Sequence, residues 1–481
     1  MHGFLRAVVS LWLERDVMDL SGRKVLVLGL GETGLATARF LARRGADLRV
    51  ADSRDAPPAL DALCRAMPQA EVALGRFEER LLDGIDLVAI SPGLSLADPL
   101  PRAATARGLE IVGEIELFAR ALPAGARVVA ITGTNGKTTV TALTGAMLRA
   151  GGFDCEVAGN ISPAALDALM AREDERSTPD AWVLELSSFQ LETTASLRPI
   201  AATVLNLSED HLDRYADMAA YAAAKARIFA GEGLQVLNRE DAWSRGMAQP
   251  GRRVATFGLE TPPGTEDFGL VKVRGDWWLA RGTTPLLAVA EMRLEGLHNA
   301  ANALAAMALA REAGVPCAAM LETLRSFRGL PHRVERVADH RGVAFYDDSK
   351  GTNVGSTVAA LTGFAKQQAG SGARVVLIAG GDGKQQDFAP LAPAVAAAAR
   401  AVVLIGRDAP QIERALTASG VPVTAARSME EAVKRAALLA RPGDAVLLSP
   451  ACASFDMFRN YKHRGEMFRA AVERLAEHAS H

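Results

Sequence analysis

Short apolar runs, each closed by glycine, proline or an acidic residue, recur along the chain and alternate with longer stretches of helical character. Residues 24–29 (KVLVLG) form a β-branched, leucine-rich run that stops at glycine, the pattern of a strand buried on both faces. A helix is expected over 33–45, a second strand over 47–51 (DLRVA) and a third over 87–91 (LVAIS), stopped by Pro92 and Gly93. The pattern restarts near Glu114. A strand is expected at 127–132 (RVVAIT), followed by a glycine-rich turn, a helix over 138–150, and buried strands at 181–186 (AWVLEL) and 202–207 (ATVLNL). The alanine-rich stretch 299–313 reads as a helix near the end of this second unit. A third unit starts near Leu330, with strands at 375–379, 401–405 and 445–448 and a helix over 391–401. Strands alternating with helices imply parallel sheets, so the expected fold class is α/β, in three units over 1–115, 116–329 and 330–481.

Length agrees with that division: 481 residues exceed one core, and about 150 residues per domain gives two to four domains. The 49% hydrophobic and 23% charged content is that of a soluble globular protein. A formal net charge of −2 gives no reason to expect a nucleic-acid partner or an anionic membrane. Cys64, Cys155, Cys317 and Cys452 are scattered, which fits neither a disulfide framework nor a zinc site and points to a reducing compartment. The apolar run 4–13 (FLRAVVSLWL) is too short to span a bilayer and no cleavage site follows it. Met18 is an alternative start, with 1–17 as an extension. A cytoplasmic protein without membrane insertion, acting as a monomer, is expected.

Two glycine clusters carry the candidate chemistry. Gly133, Thr134, Asn135, Gly136, Lys137, Thr138 and Thr139 lie between a strand and a helix, the context of a phosphate-binding loop. Glycines let backbone N–H groups face an anion, and the helix N-terminus adds partial positive charge. Lys137 is placed to reach the β and γ phosphates of ATP, and the Thr138 hydroxyl to ligate Mg²⁺. Ile131 stands where the general motif has its first glycine, so the loop is a shortened variant. The other cluster, 29–34 (GLGETG), follows a strand, and Asp52 closes the next one. That is the dinucleotide fingerprint, and alone it suggests NAD. Its physics requires only a diphosphate and a ribose, which a UDP group also supplies. Ser91 and Gly93, at the carboxyl end of a third strand, lie where such folds bind ligands.

Glu185 ends a buried strand, where a carboxylate can hold Mg²⁺ near a γ-phosphate; a capping or ion-paired glutamate is the ordinary alternative. After the next strand, Glu209, Asp210, His211 and Asp213 crowd into one loop. A lone histidine is usually structural, but one in an acidic cluster beside a phosphate loop is a candidate metal ligand. Lys225, among small residues, reads as an unremarkable exposed lysine.

From about Leu20 onward the chain resembles the Mur ligase family. GTNGKTT, ELSSFQL, NLSEDHLDRY, the lysine of YAAAKARIF, HNAANALAA, PHRVE, DDSKGTN and SPACASFDMF occur in family order, and the last two, with GLGETG, resemble the member that adds D-glutamate. The resemblance implies a Rossmann-like N-terminal domain for a UDP-muramoyl substrate, a central ATP-binding domain with a mostly parallel sheet, and a C-terminal Rossmann-like domain for the amino acid. It implies ATP and two Mg²⁺ ions as cofactors, with UDP-N-acetylmuramoyl-L-alanine and D-glutamate as substrates joined through an acyl phosphate. Lys225 is implied to be carbamylated and to bridge Mg²⁺ with His211, while Thr138 and Glu185 hold the other ion. Lys137, Glu185, His211, Lys225 and Lys350 are then the catalytic set. Asn299, Asn302, Arg333 and Asp348 match positions at the nucleotide, and Asn160 lies near it. Gly31, Glu32, Thr33, Asp52, Ser53, Arg54, Ser91, Gly93 and Asn160 are assigned to the UDP substrate. Ser349, Lys350, Thr352, Lys384, Ser454 and Tyr461 match the D-glutamate pocket. Tyr461 stands where phenylalanine is frequent, which adds a hydroxyl. Competing readings are another Mur-type or a folylpolyglutamate-type ligase, a NAD-dependent dehydrogenase, and a nucleotide-gated module without catalysis.

Overall fold

The computed structural model describes residues 18–294, 296–367 and 372–478. The apolar run 4–13 and the extension 1–17 lie outside them. No helix among the described residues is long and apolar enough to cross a membrane.

The first sheet contains β1 (Lys24–Leu28), β2 (Asp47–Asp52), β3 (Glu71–Leu74), β4 (Leu87–Ile90) and β5 (Glu110–Val112). They are all parallel, in the order β3-β2-β1-β4-β5. The order reverses between β1 and β4, so the loops after these strands part and leave a crevice at their carboxyl ends. Helix α1 (Glu32–Arg43) begins within the first glycine cluster, after Gly31. It sits so close to β1 that a Cβ on Gly34 would lie 1.9 Å from the Gly29 carbonyl oxygen.

Helix α2 (Glu114–Ala121) carries the chain into the second sheet and runs through position 115, where the pattern was cut. That sheet contains β6 (Val128–Thr132), β7 (Cys155–Gly159), β8 (Ala181–Glu185), β9 (Ala201–Val204), β10 (Leu234–Asn238) and β11 (Val254–Phe257). All six are parallel, in the order β11-β10-β9-β6-β8-β7. Helix α3 (Lys137–Ala150) follows β6, α4 (Ala165–Asp174) follows β7 and α5 (Met218–Ala226) follows β9. An antiparallel meander of β12 (Phe268–Val273), β13 (Asp276–Arg281) and β14 (Thr284–Ala288) comes next, an element the hydrophobic pattern does not announce. Helix α6 (Leu297–Glu312) closes this unit against β9 to β12.

The third sheet has the order β15-β16-β20-β17-β18-β19, built from β15 (Glu335–His340), β16 (Val343–Asp347), β17 (Val375–Gly380), β18 (Ala399–Ile405), β19 (Val423–Ala425) and β20 (Ala445–Leu448). Only its edge strand β15 is antiparallel. Helix α7 (Val354–Gln367) follows β16 and α8 (Tyr461–His478) ends the unit. The helix expected over 391–401 stops at Ala398, because Ala399 is already paired with Val375 in the sheet.

The first two sheets share one apolar core. Buried residues of α1, α2 and β1 belong to the same cluster as Trp182, Leu184 and Ala202 of the second sheet. Phe118 meets Trp182 edge to face, with ring centroids 5.0 Å apart. Beside that contact the buried Glu116 accepts hydrogen bonds from Ala195 N at 2.6 Å, Ser196 N at 2.8 Å, Ser196 Oγ at 2.6 Å and Arg120 Nε at 2.8 Å. Burial alone would raise its carboxyl, but the bonds from Ser196 and Ala195 outweigh burial and bring it down to about 2. Ion pairs join the same units, Arg44 with Glu173 largely out of water and Arg43 with Asp174 on the surface, and a surface pair contributes about 0–1 kcal/mol.

A carboxyl lowered by folding contributes stability above its ordinary value of 4.5, and that contribution is lost as the pH falls toward about 2. Glu116→Ala is therefore expected to lower the urea midpoint at neutral pH by the equivalent of about 1–3 kcal/mol. It should also flatten the loss of stability on the acid side, and a midpoint series from pH 7 downward measures both.

Candidate active site

The loop between β6 and α3 is shaped by two glycines that admit no side chain. Gly133 has φ +149° and a Cβ there would come within 3.0 Å of Leu205. Gly136 has φ +83° and a Cβ would meet Asn302 Oδ1 at 2.6 Å. The loop is pinned to the segment after β9: Thr134 N donates to Asn206 O at 2.8 Å, Asn135 N to Asn206 Oδ1 at 2.8 Å, and Asn206 Nδ2 to Asn135 O at 3.1 Å. That pinning explains why the strand expected to reach 207 ends at Val204. Lys137 Nζ donates to Gly133 O at 2.9 Å and Thr134 O at 2.8 Å. Burial lowers its amine to about 8, against the pull of Glu185 and Asp210.

The carboxyl edge of the second sheet brings the expected metal-ligating residues to this loop. Glu185, 1% exposed, accepts from Asn160 Nδ2 through Oε1 at 2.8 Å, while its buried Oε2 has no hydrogen-bond partner among the described residues. Lys225 is not the exposed lysine its surroundings in the sequence suggest: it is 1% exposed. Its Nζ donates to Thr132 Oγ1 at 3.2 Å and Gly133 O at 3.0 Å, over the Tyr221 ring. Burial, reinforced by Lys137, pushes this amine well below the ordinary lysine range. Burial also lowers His211 to about 4, so its ring is neutral near pH 7 and presents a lone pair. Its neighbours Glu209 and Asp213 are exposed, whereas Asp210 is buried. A carboxylate oxygen without a partner among the described residues, a neutral imidazole and a buried amine thus stand around one phosphate loop; of these only the carboxylate is an oxygen donor of the kind a hard divalent cation takes.

Residues of the third sheet close over the loop. Arg333 Nη2 donates to Thr138 Oγ1 at 2.6 Å. The backbone is left-handed on both sides of this arginine, at His332 (φ +66°) and Val334 (φ +48°), and such a conformation costs a β-branched residue about 1–2 kcal/mol. Asn353 Nδ2 donates to Asn135 Oδ1 at 3.1 Å and Asp210 Oδ2 at 3.3 Å, and Ser356 Oγ to Asn135 Oδ1 at 2.6 Å. Lys384, assigned from its motif to D-glutamate, forms an ion pair with Asp210 Oδ1 at 2.7 Å. Burial would raise Asp210, yet the charge of Lys384 holds it below the usual carboxylate range. Asp348 is pushed up to about 7 by burial, with Ser449 Oγ donating to it at 2.7 Å. A cavity of about 180 Å³ between the sheets is lined by Gly136, Thr139, Asn299, Asn302, Arg333, Asp348 and Lys350.

Next to that cavity Lys350 Nζ donates to Tyr461 Oη at 3.2 Å and lies 4.2 Å from the ring centroid. Burial lowers this lysine to about 8. Ser349 is fully buried and its Oγ has no partner among the described residues. Thr352 N donates to Lys350 O, and Ser454 O receives Phe458 N, so these two shape the turns that flank the pocket. Arg464, buried and unforeseen in the sequence, binds Ser349 O and Cys452 O and ties those turns together.

The front crevice has a volume of about 370 Å³ and is lined by Gly31, Glu32, Thr33, Asp52, Ser53, Arg54, Ser91 and Gly93. Asn160 is absent from this lining and stands at Glu185 instead. Asp52 is not a free acceptor for a ribose: Arg54 grips both of its oxygens, at 2.8 and 2.7 Å, and Leu30 N donates to it at 2.6 Å. Arg54 first, and the backbone bonds after it, bring this carboxyl to about 2 despite burial. Arg214 was also missed. It lies over the Phe189 ring and donates to Pro92 O at 2.9 Å and Glu192 Oε2 at 2.6 Å, bridging the front crevice to the second sheet.

Comparison with known proteins agrees with this layout. Three family models match in series: a Mur ligase MurD-like N-terminal domain over residues 23–113, a Mur ligase middle domain over 131–310, and a Mur ligase glutamate ligase domain over 332–452. A UDP-N-acetylmuramoylalanine–D-glutamate ligase of Nitrosospira multiformis is 58% identical over 95% of this chain and 97% of its own. One from Nitrosomonas europaea is 55% identical over 96% and 98%. Among solved structures, UDP-N-acetylmuramate-alanine ligase MurC of Thermotoga maritima superposes with a TM-score of 0.59 at 21% identity, covering 95% of this chain and 99% of that one. MurF of Acinetobacter baumannii gives a TM-score of 0.58 at 17% identity, over 90% and 88%. With relatives of that identity along almost its whole length, and a phosphate loop closed over by the third sheet, the chain belongs to the Mur ligase family.

Proposed function

We propose that this enzyme uses ATP to add D-glutamate to UDP-N-acetylmuramoyl-L-alanine, a cytoplasmic step in making peptidoglycan precursors. The observation that carries the reading is the contact of Arg333 with Thr138 across two sheets, which sets the Lys350–Tyr461 pocket against the phosphate loop. The substrate pair follows from the names of the relatives, two of them 58% and 55% identical.

In this reading the front crevice holds the UDP group, with Arg54 and the N–H groups that follow β1 facing its diphosphate. The sugar-borne L-alanine carboxylate reaches the phosphate loop. Its oxygen attacks the γ-phosphorus of ATP, the bond to the ADP oxygen breaks, and an acyl phosphate forms. Lys137 and Arg333 offset the charge on the transferring group. Lys350, with Lys384 as a second cation nearby, receives the carboxylates of D-glutamate. The D-glutamate amine then attacks the acyl carbon and phosphate leaves. Closure by the third sheet keeps water from the acyl phosphate.

Thr138 and Glu185 would hold one Mg²⁺, with Arg333 withdrawing from the Thr138 hydroxyl, and His211 with a carbamylated Lys225 would hold a second; such ions would supply charge neutralisation to the phosphates. A neutral, buried Lys225 is the form of the side chain that adds to CO₂, losing a proton to give a carbamate, and a carbamate is the oxygen ligand that the cluster needs.

Three outcomes test the reading. With ¹⁸O in the alanine carboxylate, label is expected in the released phosphate, and its absence rules out the acyl phosphate. Lys137→Ala should lower kcat by about 10²–10³-fold while the circular dichroism spectrum is kept. Under ¹³CO₂, a carbamate carbon resonance is expected for the native protein and should vanish in Lys225→Ala together with activity; a native spectrum without it removes the carbamate. Throughout, product should form with D-glutamate and not with L-glutamate or diamino acids.

A further inference from the structure

We propose that His332, oriented by Asp347, is the general base that takes a proton from the D-glutamate amine as the amide forms, an inference that rests on the ligase reading above. Its Nδ1 lies 2.7 Å from Asp347 Oδ2. Asp347 is fully buried, and its Oδ1 receives Ser349 N at 2.9 Å. A carboxylate in that position keeps the imidazole proton on Nδ1 and leaves Nε2 as the acceptor. Among the described residues Nε2 has no hydrogen-bond partner.

The imidazole borders the amino-acid pocket. It stands edge-on to Tyr461, with ring centroids 6.0 Å apart at 83°, and His332 O accepts from Lys350 N at 3.2 Å. The residue is held through its backbone as well as its ring. His332 N donates to Glu335 Oε2 at 3.0 Å, and Glu335 is itself paired with Arg469. A Cβ on Gly465 of α8 would fall 2.4 Å from His332 Nδ1, 2.6 Å from Asp347 Oδ2 and 2.7 Å from Ser349 Oγ, so only glycine leaves room for the pair. His332, Glu335 and Asp347 also satisfy the spacing of a cation site. Both carboxylates are already committed, however, Asp347 to Ser349 N and the ring, Glu335 to His332 N and Arg469. The cluster orients an imidazole rather than collecting ligands.

The chemistry supplies the need. D-glutamate arrives as an ammonium and ends as an amide N–H, so two protons must leave. One passes from nitrogen to Nε2 and on to solvent as the lone pair forms the C–N bond. The other accompanies the phosphate, which departs with the electron pair of the broken C–O bond. Lys350 Nζ is hydrogen-bonded to Tyr461, and Asp348 is occupied by Ser449, whereas the orienting carboxylate of Asp347 leaves Nε2 of His332 open to accept a proton.

The test gives the full-length His332→Gln enzyme ATP, Mg²⁺ and UDP-N-acetylmuramoyl-L-alanine, with either D-glutamate or hydroxylamine as acceptor. Hydroxylamine is mostly unprotonated at neutral pH and needs no base. With D-glutamate kcat is expected to fall about 10²–10³-fold at little-changed KM, with partial rescue by added imidazole. Hydroxamate formation should stay within about twofold of the native rate, which also certifies the fold and the first half-reaction. Asp347→Asn, a change of a positioning residue, should show the same split in weaker form. Equal loss with both acceptors, or an unchanged rate with D-glutamate, overturns the assignment. Failure of the native enzyme to give hydroxamate overturns the ligase reading itself.

Discussion

Burying several cations beside few carboxylates is the constraint on which this molecule is organised. Lys137, Arg333 and Lys350 converge where the second and third units meet, and burial lowers every one of them. Desolvated positive charge is costly unless paired, and Glu185, Asp210 and Asp348 do not match it. Asp348 is itself held up to about 7 by burial. On the function proposed above, the partners of this site are a polyphosphate and carboxylates, each of which would bring negative charge to it. The glycines of the phosphate loop serve the same end by exposing N–H groups where any Cβ would collide.

Asp210 shows how this constraint connects the units. It accepts from Lys384 and Asn353 of the third unit while sitting one residue before His211. A single buried carboxylate thus ties the candidate amino-acid pocket to the candidate metal cluster. Arg333 does the same from the other side, with its strained flanking residues holding the guanidinium on Thr138. The fit between the sheets is carried by charged and polar contacts, and those respond to ligand charge more readily than an apolar core would.

The parts of this design readable in the sequence are those fixed locally. A strand, a turn that only glycine can make and a helix specify the phosphate loop without tertiary information, and the same holds for the front crevice. Parallel strands buried on both faces announce themselves as apolar runs. The meander of β12 to β14 does not, because its strands are only half buried and their alternation is interrupted by charged turns. Lys225 looked exposed because its burial is decided by Thr132 and the phosphate loop packed around it, 93 and 92 residues away in sequence. Asp52 was legible as an acid but not as one gripped by Arg54, since the geometry of a neighbouring side chain is invisible in a motif. Asp210 was legible as one acid of a cluster but not as the partner of Lys384, 174 residues away, and Arg214 and Arg464 were passed over because their partners lie up to 122 residues away. The family motifs recovered much of what spacing alone left open.

The shared core of the first two sheets has a bearing on substrate choice. Phe118 against Trp182, Glu116 on the 195–196 turn and Arg214 on Pro92 fix how far the front crevice lies from the phosphate loop. That interval behaves as a ruler built into the scaffold. On the function proposed above, a nucleotide-sugar whose acyl arm is one residue too long or too short would present its carboxylate beyond or short of the γ-phosphate, and the fixed interval would itself discriminate among donors by length.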